Sequence, residues 1–257
     1  MFALVDCNNF YVSCERVFNP AIRKDPVVVL SNNDGCAIAR SNEAKALGIP
    51  MGAPAFKFKT TFKKHGIHVY SSNYALYGDM SARVMNLLKK YTPDVEVYSI
   101  DESFLKFEGF EHYNLTDWGN QMKHEVERGT GIPISIGIAP TKALAKVANR
   151  VAKKFPERTG GVYLMQTNRQ REKALKWMDI DDVWGIGRQH AIRLKRINVN
   201  NGLDFANLPE DWVRKNMSVV GHRLLLELRG EPSLDLEEMQ AKKAIATSRS
   251  FDKQYED

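Results

Sequence analysis

Hydrophobic residues gather in short β-prone runs, separated by longer stretches in which they recur every third or fourth place. Phe2-Ala3-Leu4-Val5 is an unbroken apolar run that stops on a carboxylate, Asp6, the pattern of a buried strand with an acid at its exit. Pro26-Val27-Val28-Val29-Leu30 predicts a second buried strand, Asn33-Asp34-Gly35 a hairpin turn, and Cys36-Ala37-Ile38-Ala39-Arg40 the returning strand. Val95-Glu96-Val97-Tyr98 and Phe104-Leu105-Lys106-Phe107 predict another hairpin, and Ile134-Ser135-Ile136-Gly137-Ile138-Ala139 a further strand. Asn8 or Asn9 is placed to cap a helix whose Phe10, Cys14 and Val17 share a face. Ser41 to Leu47 reads as a short helix ended by Gly48. Asp79 to Leu88 and Thr116 to Glu127 read as amphipathic helices that pack on a sheet. The order strand, helix, strand, strand, helix, strand gives an α+β fold with a sheet of ferredoxin-like type.

Thr141 to Phe155 is another helix of two faces. At 100° per residue, Lys142, Lys146, Asn149 and Lys153 fall on one stripe, with Leu144, Val147, Ala148, Val151 and Phe155 opposite. A solvated face usually mixes charge signs for pairing four residues apart. Here every charge on the stripe is positive, so phosphate contact stands beside a wet helix edge as its reading. From Asn168 the character changes. Asp182-Val183-Trp184-Gly185-Ile186-Gly187-Arg188, followed by Ala191, Leu194 and the cations Arg193, Lys195 and Arg196, matches a helix-hairpin-helix pattern. Its Gly-Ile-Gly turn, Gly185 to Gly187 with Arg188 beside it, lets backbone N–H groups approach a DNA phosphate without reading sequence. A tight inter-helix turn is the alternative. Leu208 to Gly230 completes this helical module, and beyond Gly230-Glu231-Pro232 the chain is polar and reads as a linker.

Composition narrows the class. With 257 residues, 43% hydrophobic and 26% charged, the chain is an ordinary globular one with room for two or three small domains. A net charge of +6 leans toward polyanions such as nucleic acid. Cys7, Cys14 and Cys36 are odd in number and include no C-x-x-C pair. That argues against a disulfide framework or a zinc site and for a reducing, cytoplasmic setting. The N-terminus lacks the basic lead of a signal peptide, and no stretch approaches the roughly 20 apolar residues of a membrane span.

Asp101 and Glu102 lie between the two runs of the second hairpin, at or near its tip. Adjacent strand residues face opposite ways, so the two share a site only where the chain turns or bulges. Paired carboxylates repel unless a proton or cation lies between them, and hard divalent ions take such oxygen ligands. Taken alone, the pair also suits a solvated turn. Asp6 adds a third acid. Three carboxylates at the ends of adjacent strands can hold two Mg²⁺ ions about 3.5–4 Å apart, the arrangement of in-line phosphoryl transfer. Tyr11, just beyond Asp6, is placed either to overhang a substrate or to fill a core. Arg40 and Lys45 are candidates to meet phosphates or are solvated, and the lysine-rich Lys57 to Lys64 is open to the same two readings.

In chain order, Phe2-Ala3-Leu4-Val5-Asp6 with Phe10-Tyr11, Tyr98-Ser99-Ile100-Asp101-Glu102-Ser103-Phe104, Ala139-Pro140-Thr141-Lys142-Ala143-Leu144-Ala145-Lys146 and Trp184-Gly185-Ile186-Gly187 resemble the Y-family translesion DNA polymerases. Leu30-Ser31-Asn32-Asn33-Asp34-Gly35-Cys36 and Tyr70-Ser71-Ser72-Asn73-Tyr74 look like the UmuC branch, that of the catalytic subunit of bacterial DNA polymerase V. The resemblance covers nearly the whole chain. It implies a ferredoxin-like palm (1–10 and 74–166), small fingers (11–73), an all-helical helix-hairpin-helix thumb (167–232) and a linker (233–257). It implies a DNA-directed DNA polymerase of translesion synthesis in the SOS response, with Asp6, Asp101 and Glu102 as catalytic carboxylates for two Mg²⁺ and the Cys7 carbonyl as a further ligand. Tyr11 becomes the steric gate against a 2′-OH, and Lys45 and Lys153 meet the incoming triphosphate; from the stripe and the hairpin read above, Lys142, Lys146, Gly185, Gly187 and Arg188 are expected to meet DNA.

The implied partners are primer–template DNA, dNTPs, a cleaved UmuD-like accessory dimer and a recombinase filament, in the bacterial cytoplasm and on the nucleoid. The chain also departs from the family. Ala39 and Asn42 stand where threonine and tyrosine are common near the triphosphate, and Ala37 with Ala39 implies a loose roof over the nascent pair. Ser248-Arg249-Ser250-Phe251 resembles the end of the linker to a little-finger domain, and the chain stops at Asp257, so a weak grip on duplex is expected. The rival readings are a non-catalytic DNA-binding or regulatory fragment and a nucleotide cyclase or nuclease on a similar sheet. The gate tyrosine and the hairpin argue against a cyclase.

Overall fold

The computed structural model describes residues 1–237 together with 244 and 246. The expected linker end at Ser248 to Phe251 lies outside the described residues. The chain runs β1 (Phe2–Cys7), α1 (Phe10–Phe18), β2 (Val27–Leu30), β3 (Ala37–Arg40), α2 (Asn42–Ala46), α3 (Ala55–Lys64), β4 (His68–Tyr70), α4 (Tyr74–Leu88), β5 (Val95–Val97) and β6 (Glu102–Lys106). It continues through α5 (Leu115–Thr130), β7 (Ile134–Ala139), α6 (Lys142–Lys154), α7 (Pro156–Thr159), β8 (Val162–Leu164), α8 (Asn168–Trp177), α9 (Arg188–Lys195), α10 (Gly202–Ala206) and α11 (Glu210–Arg229). α11 is broken at Ser218, whose φ is 61°. No helix among the described residues is long and apolar enough to cross a membrane.

These elements form two units. The first takes Met1–Cys7, Val84–Gly129 and residues 133–237. Its sheet has the order β5-β6-β1-β7-β8, antiparallel except for the parallel pair β7–β8. In β1, Phe2 to Val5 are all buried, on both faces, which is why the sequence shows a continuous apolar run there and not an alternating one. α6 packs close on this sheet. Thr141 caps it, accepting from the Leu144 N–H, and Ala143, Ala145, Ala148 and Ala152 present little bulk. Asn149, on the stripe read as meeting phosphate or solvent, is buried instead and donates to the Leu4 and Ser135 carbonyls at 3.2 and 2.7 Å. It pins helix to sheet. The apolar core of β1, β6 and α6 continues without a break into α8, α9 and α11. Glu227 of α11 is fully buried and accepts from the N–H groups of Ala143, Ser233 and Leu234 at 2.8 to 3.0 Å, closing the start of α6.

The second unit takes Asn8–Arg83 and Thr130–Ile132. Its sheet has the order β3-β2-β4, antiparallel between β2 and β3 and parallel between β2 and β4. Its core includes Val28, Leu30, Ala37, Ile49, Phe62 and Ile67. β4 escapes a reading by pattern because His68 and Val69 are exposed and Tyr70 is only half-buried; backbone pairing to β2 makes it a strand. Asn9 precedes α1 with φ 49°, and its side chain does not cap the helix as expected. It turns to α2, accepting from the Lys45 ammonium at 2.6 Å and donating to Asn42 at 3.1 Å.

Candidate active site

Register brings the acids to one end of the first unit's sheet. β1 pairs with β6 so that Asp6 stands opposite Glu102, and the Cys7 N–H donates to the Asp101 carbonyl at 2.9 Å. The turn between β5 and β6 is organised by Ser99, a residue the sequence reading missed. Its hydroxyl donates to the Asp101 carboxylate at 2.7 Å and accepts from the N–H groups of Asp101 and Glu102 at 3.3 and 3.0 Å. A serine two places before an acid is the signal that could have found it, because such hydroxyls build their own turns. This turn frees Asp101 from strand alternation, which is how neighbours in sequence both act on Asp6. Burial pushes the Asp6 carboxyl up to about 7; the Lys153 ammonium opposes the rise, and the charges of Glu102 and Asp101 add to it.

The lysine stripe of α6, expected to meet DNA at Lys142 and Lys146, points at acids of the chain itself. Lys142 is buried, at 3% exposure, with its ammonium 2.7 Å from Glu96 and 3.2 Å from the Asp235 carbonyl. Lys146 lies 3.1 Å from both oxygens of Glu102 with its side chain 15% exposed. Lys153 pairs with Asp6. Neither of the two readings of this row of like charges, phosphate contact or a wet helix edge, includes the acids from elsewhere in the sequence that neutralise it. Lys142→Met therefore leaves a charged Glu96 buried. It is expected to lower the unfolding free energy by about 3 kcal/mol in urea titration while leaving duplex affinity unchanged. A matching loss of affinity in the folded variant would restore the DNA-contact role.

In the second unit, Tyr11 on α1 stacks on Tyr77, with ring centroids 4.2 Å apart at 14°, and meets Tyr74 edge-on at 6.3 Å. Tyr77 is itself fixed, donating its hydroxyl to Glu15 at 2.7 Å. Tyr11 is thus backed by other rings and held in one orientation. Lys45 is exposed, on the α2 helix that Asn9 anchors.

The glycine hairpin belongs to the first unit. Gly185 has φ 85°, a conformation glycine adopts without strain, and Gly187 precedes α9 with no atom within 4 Å of the place a Cβ would take. Gly185, Gly187 and Arg188 are all exposed, so the turn is open to a ligand. The element before it is a 3₁₀ turn, Ile180–Asp182, following α8. Just before the hairpin, Trp184 donates to the Tyr98 hydroxyl at 3.1 Å.

Among the described residues no group of three His, Cys, Asp or Glu stands in position to hold a metal ion. Asp6 is turned to Lys153, Glu102 to Lys146 and Asp101 to Ser99. The chemistry of the cluster nevertheless fits a hard divalent cation. Its donors are all carboxylate oxygens, they already hold two ammonium ions, and the Asp6 carboxyl is raised by burial first and then by the charges of Glu102 and Asp101, both of which a cation would offset.

Residues 5–150 match the model of the impB/mucB/samB family. The chain is 47% identical over 254 residues to Protein ImpB of Salmonella typhimurium, covering 98% of this chain, and 47% identical over 253 residues to Protein UmuC of the same organism. It is 29% identical to DNA polymerase IV of Saccharolobus solfataricus over 87% of its length. It spans about 60% of the length of the curated relatives it matches first. Among solved structures it is similar to an insertion ternary complex of Dbh DNA polymerase, with a TM-score of 0.78 and 26% identity over 92% of this chain and 70% of that one. It is similar too to a Y-family DNA polymerase chimera, with a TM-score of 0.79 and 26% identity over 94% of this chain and 71% of that one. The chain carries the α+β fold of these polymerases, and it belongs to the impB/mucB/samB family.

Proposed function

We propose that this chain is the catalytic core of a translesion DNA polymerase, extending a primer on a template by phosphoryl transfer from dNTPs. The observation that carries this reading is the gathering of Asp6, Asp101 and Glu102 at one sheet end, with Lys153 and Lys146 against them. The division into palm, fingers and thumb given above is part of the same reading. Asp6, Asp101 and Glu102, with the Cys7 carbonyl, would hold two Mg²⁺, which would supply stabilisation of charge at the α-phosphate; the primer 3′-OH attacks that phosphorus, the new P–O bond forms, and pyrophosphate leaves. Lys153 exchanges the Asp6 carboxylate for a phosphate of the incoming triphosphate, and Lys45 meets the same group from the fingers. The N–H groups at Gly185 and Gly187, with Arg188, hold the DNA backbone and fix register without selecting sequence. In this reading the work takes place in the bacterial cytoplasm, with a cleaved UmuD-like dimer and a recombinase filament as partners, and the family resemblance is what supports it.

Single-nucleotide primer extension in Mg²⁺, at low salt, tests the reading. The nucleotide added should follow the templating base. DNA binding with no extension would instead favour a non-catalytic fragment. Tyr11 is the sugar gate in this reading, its ring backed by Tyr77. Tyr11→Ala is expected to raise ribonucleotide over deoxyribonucleotide use by about 100-fold, measured as the ratio of kcat/KM values; an unchanged ratio removes Tyr11 from that role.

A further inference from the structure

Lys146 is enclosed. Beyond the two Glu102 oxygens, its ammonium lies 4.5 Å from the centroid of the Tyr98 ring, 5.4 Å from Trp184 and 5.6 Å from Phe104. The rings support one another. Trp184 Nε1 donates to the Tyr98 hydroxyl at 3.1 Å, Tyr98 and Trp184 stand edge to face at 6.0 Å, and Phe104 lies 5.4 Å from Tyr98 and 6.2 Å from Trp184. Three ring faces and one carboxylate therefore wall the cation, and each ring attracts it through its quadrupole. Lysine is otherwise a flexible point charge; here its place is set by residues from two separate parts of the chain, 98–104 and Trp184. Trp184 leads into the glycine hairpin and Tyr98 leads into the Ser99–Asp101 turn, so this enclosure joins the two.

We propose that Trp184 is a positioning residue for Glu102 and acts through Lys146. The rings of Trp184, Tyr98 and Phe104 keep the ammonium on both oxygens of Glu102, so a divalent cation arriving at Glu102 competes with a cation held there by the hairpin. The proposal rests on the reading of Asp6, Asp101 and Glu102 as ligands for divalent ions. It assigns Lys146 the role of a resident counter-ion, and it makes the seating of Trp184 one determinant of how readily the acids load.

Mn²⁺ is the probe, with its free concentration followed by electron paramagnetic resonance in solutions of the full 257-residue chain without DNA. Asp101→Asn first identifies the binding that belongs to the acids. Trp184→Ala should then bind Mn²⁺ about fivefold more tightly, the order expected from losing one ring contact to the competing ammonium. Trp184→Phe, which keeps a ring face, should return toward the wild type. Tyr98→Leu removes the nearest ring from an exposed position and should shift affinity in the same direction, which keeps the test alive should Trp184→Ala fold poorly. In a Lys146→Met background Trp184→Ala should shift nothing, because the group it acts through is gone. Unchanged Mn²⁺ affinity in both ring variants overturns the proposal, as does an equal shift with and without Lys146. A wild type with no Mn²⁺ binding sensitive to Asp101→Asn removes the ligand reading itself, and is seen before any ring variant is compared.

Discussion

Asp101→Asn is expected to reduce template-dependent primer extension in Mg²⁺ at least about 1,000-fold, a loss of roughly 4 kcal/mol in transition-state stabilisation. The substitution keeps the shape of the side chain and a carbonyl oxygen for the Ser99 hydroxyl, so the turn survives. What it removes is one negative charge from a cluster of three acids. That charge repels Asp6 and helps hold its carboxyl up near 7. Without it the fold should be no less stable, and the melting temperature should stay the same or rise slightly. Lost activity with an intact fold is therefore the signature of a charge needed for chemistry. Extension within tenfold of wild type would sink the catalytic assignment of Asp101.

Gly137→Ala is expected to lower the unfolding free energy by upwards of about 4 kcal/mol, beyond the ordinary cost of an overpacked core. Gly137 sits in β7 directly beneath α6. A Cβ placed there lies 2.0 Å from the Asn149 nitrogen, 2.4 Å from the Ala145 oxygen and 2.6 Å from the Ala148 carbonyl carbon. All three are backbone atoms, so no side chain can swing away. Either β7 or the helix must move. A lifted α6 breaks the Asn149 bonds to Leu4 and Ser135 and parts the lysines from Glu96, Glu102 and Asp6. Urea unfolding reads the loss directly. A change under about 1 kcal/mol would mean the sheet and helix separate more easily than close-packed interiors allow. Gly187→Ala is the control, since nothing lies within 4 Å of its added carbon.

The amino-acid sequence by itself determined many of the elements and singled out the three acids. Runs such as Phe2 to Val5 and Ile134 to Ala139 declare buried strands, and the periodicity of Thr141 to Phe155 declares a helix, because these are properties of neighbours along the chain. The motifs around Asp6 and Tyr98 to Phe104, with Ala139 to Lys146, Trp184 to Gly187, Leu30 to Cys36 and Tyr70 to Tyr74, point to the family to which the chain belongs. Tertiary structure alone decided where the charges of α6 go. Lys142 meets Glu96 across 46 residues and Lys146 meets Glu102 across 44, while Lys153 reaches back to Asp6 at the start of the chain. No local pattern carries such pairings. It likewise decided that Asn149 is buried, that His68 to Tyr70 is a strand, and that Trp184 and Tyr98 enclose Lys146. Periodicity fixes which residues of a helix share a face, but what that face meets depends on contacts between distant parts of the chain. A positive stripe therefore looks the same in sequence whether it faces a phosphate, water or the protein's own acids.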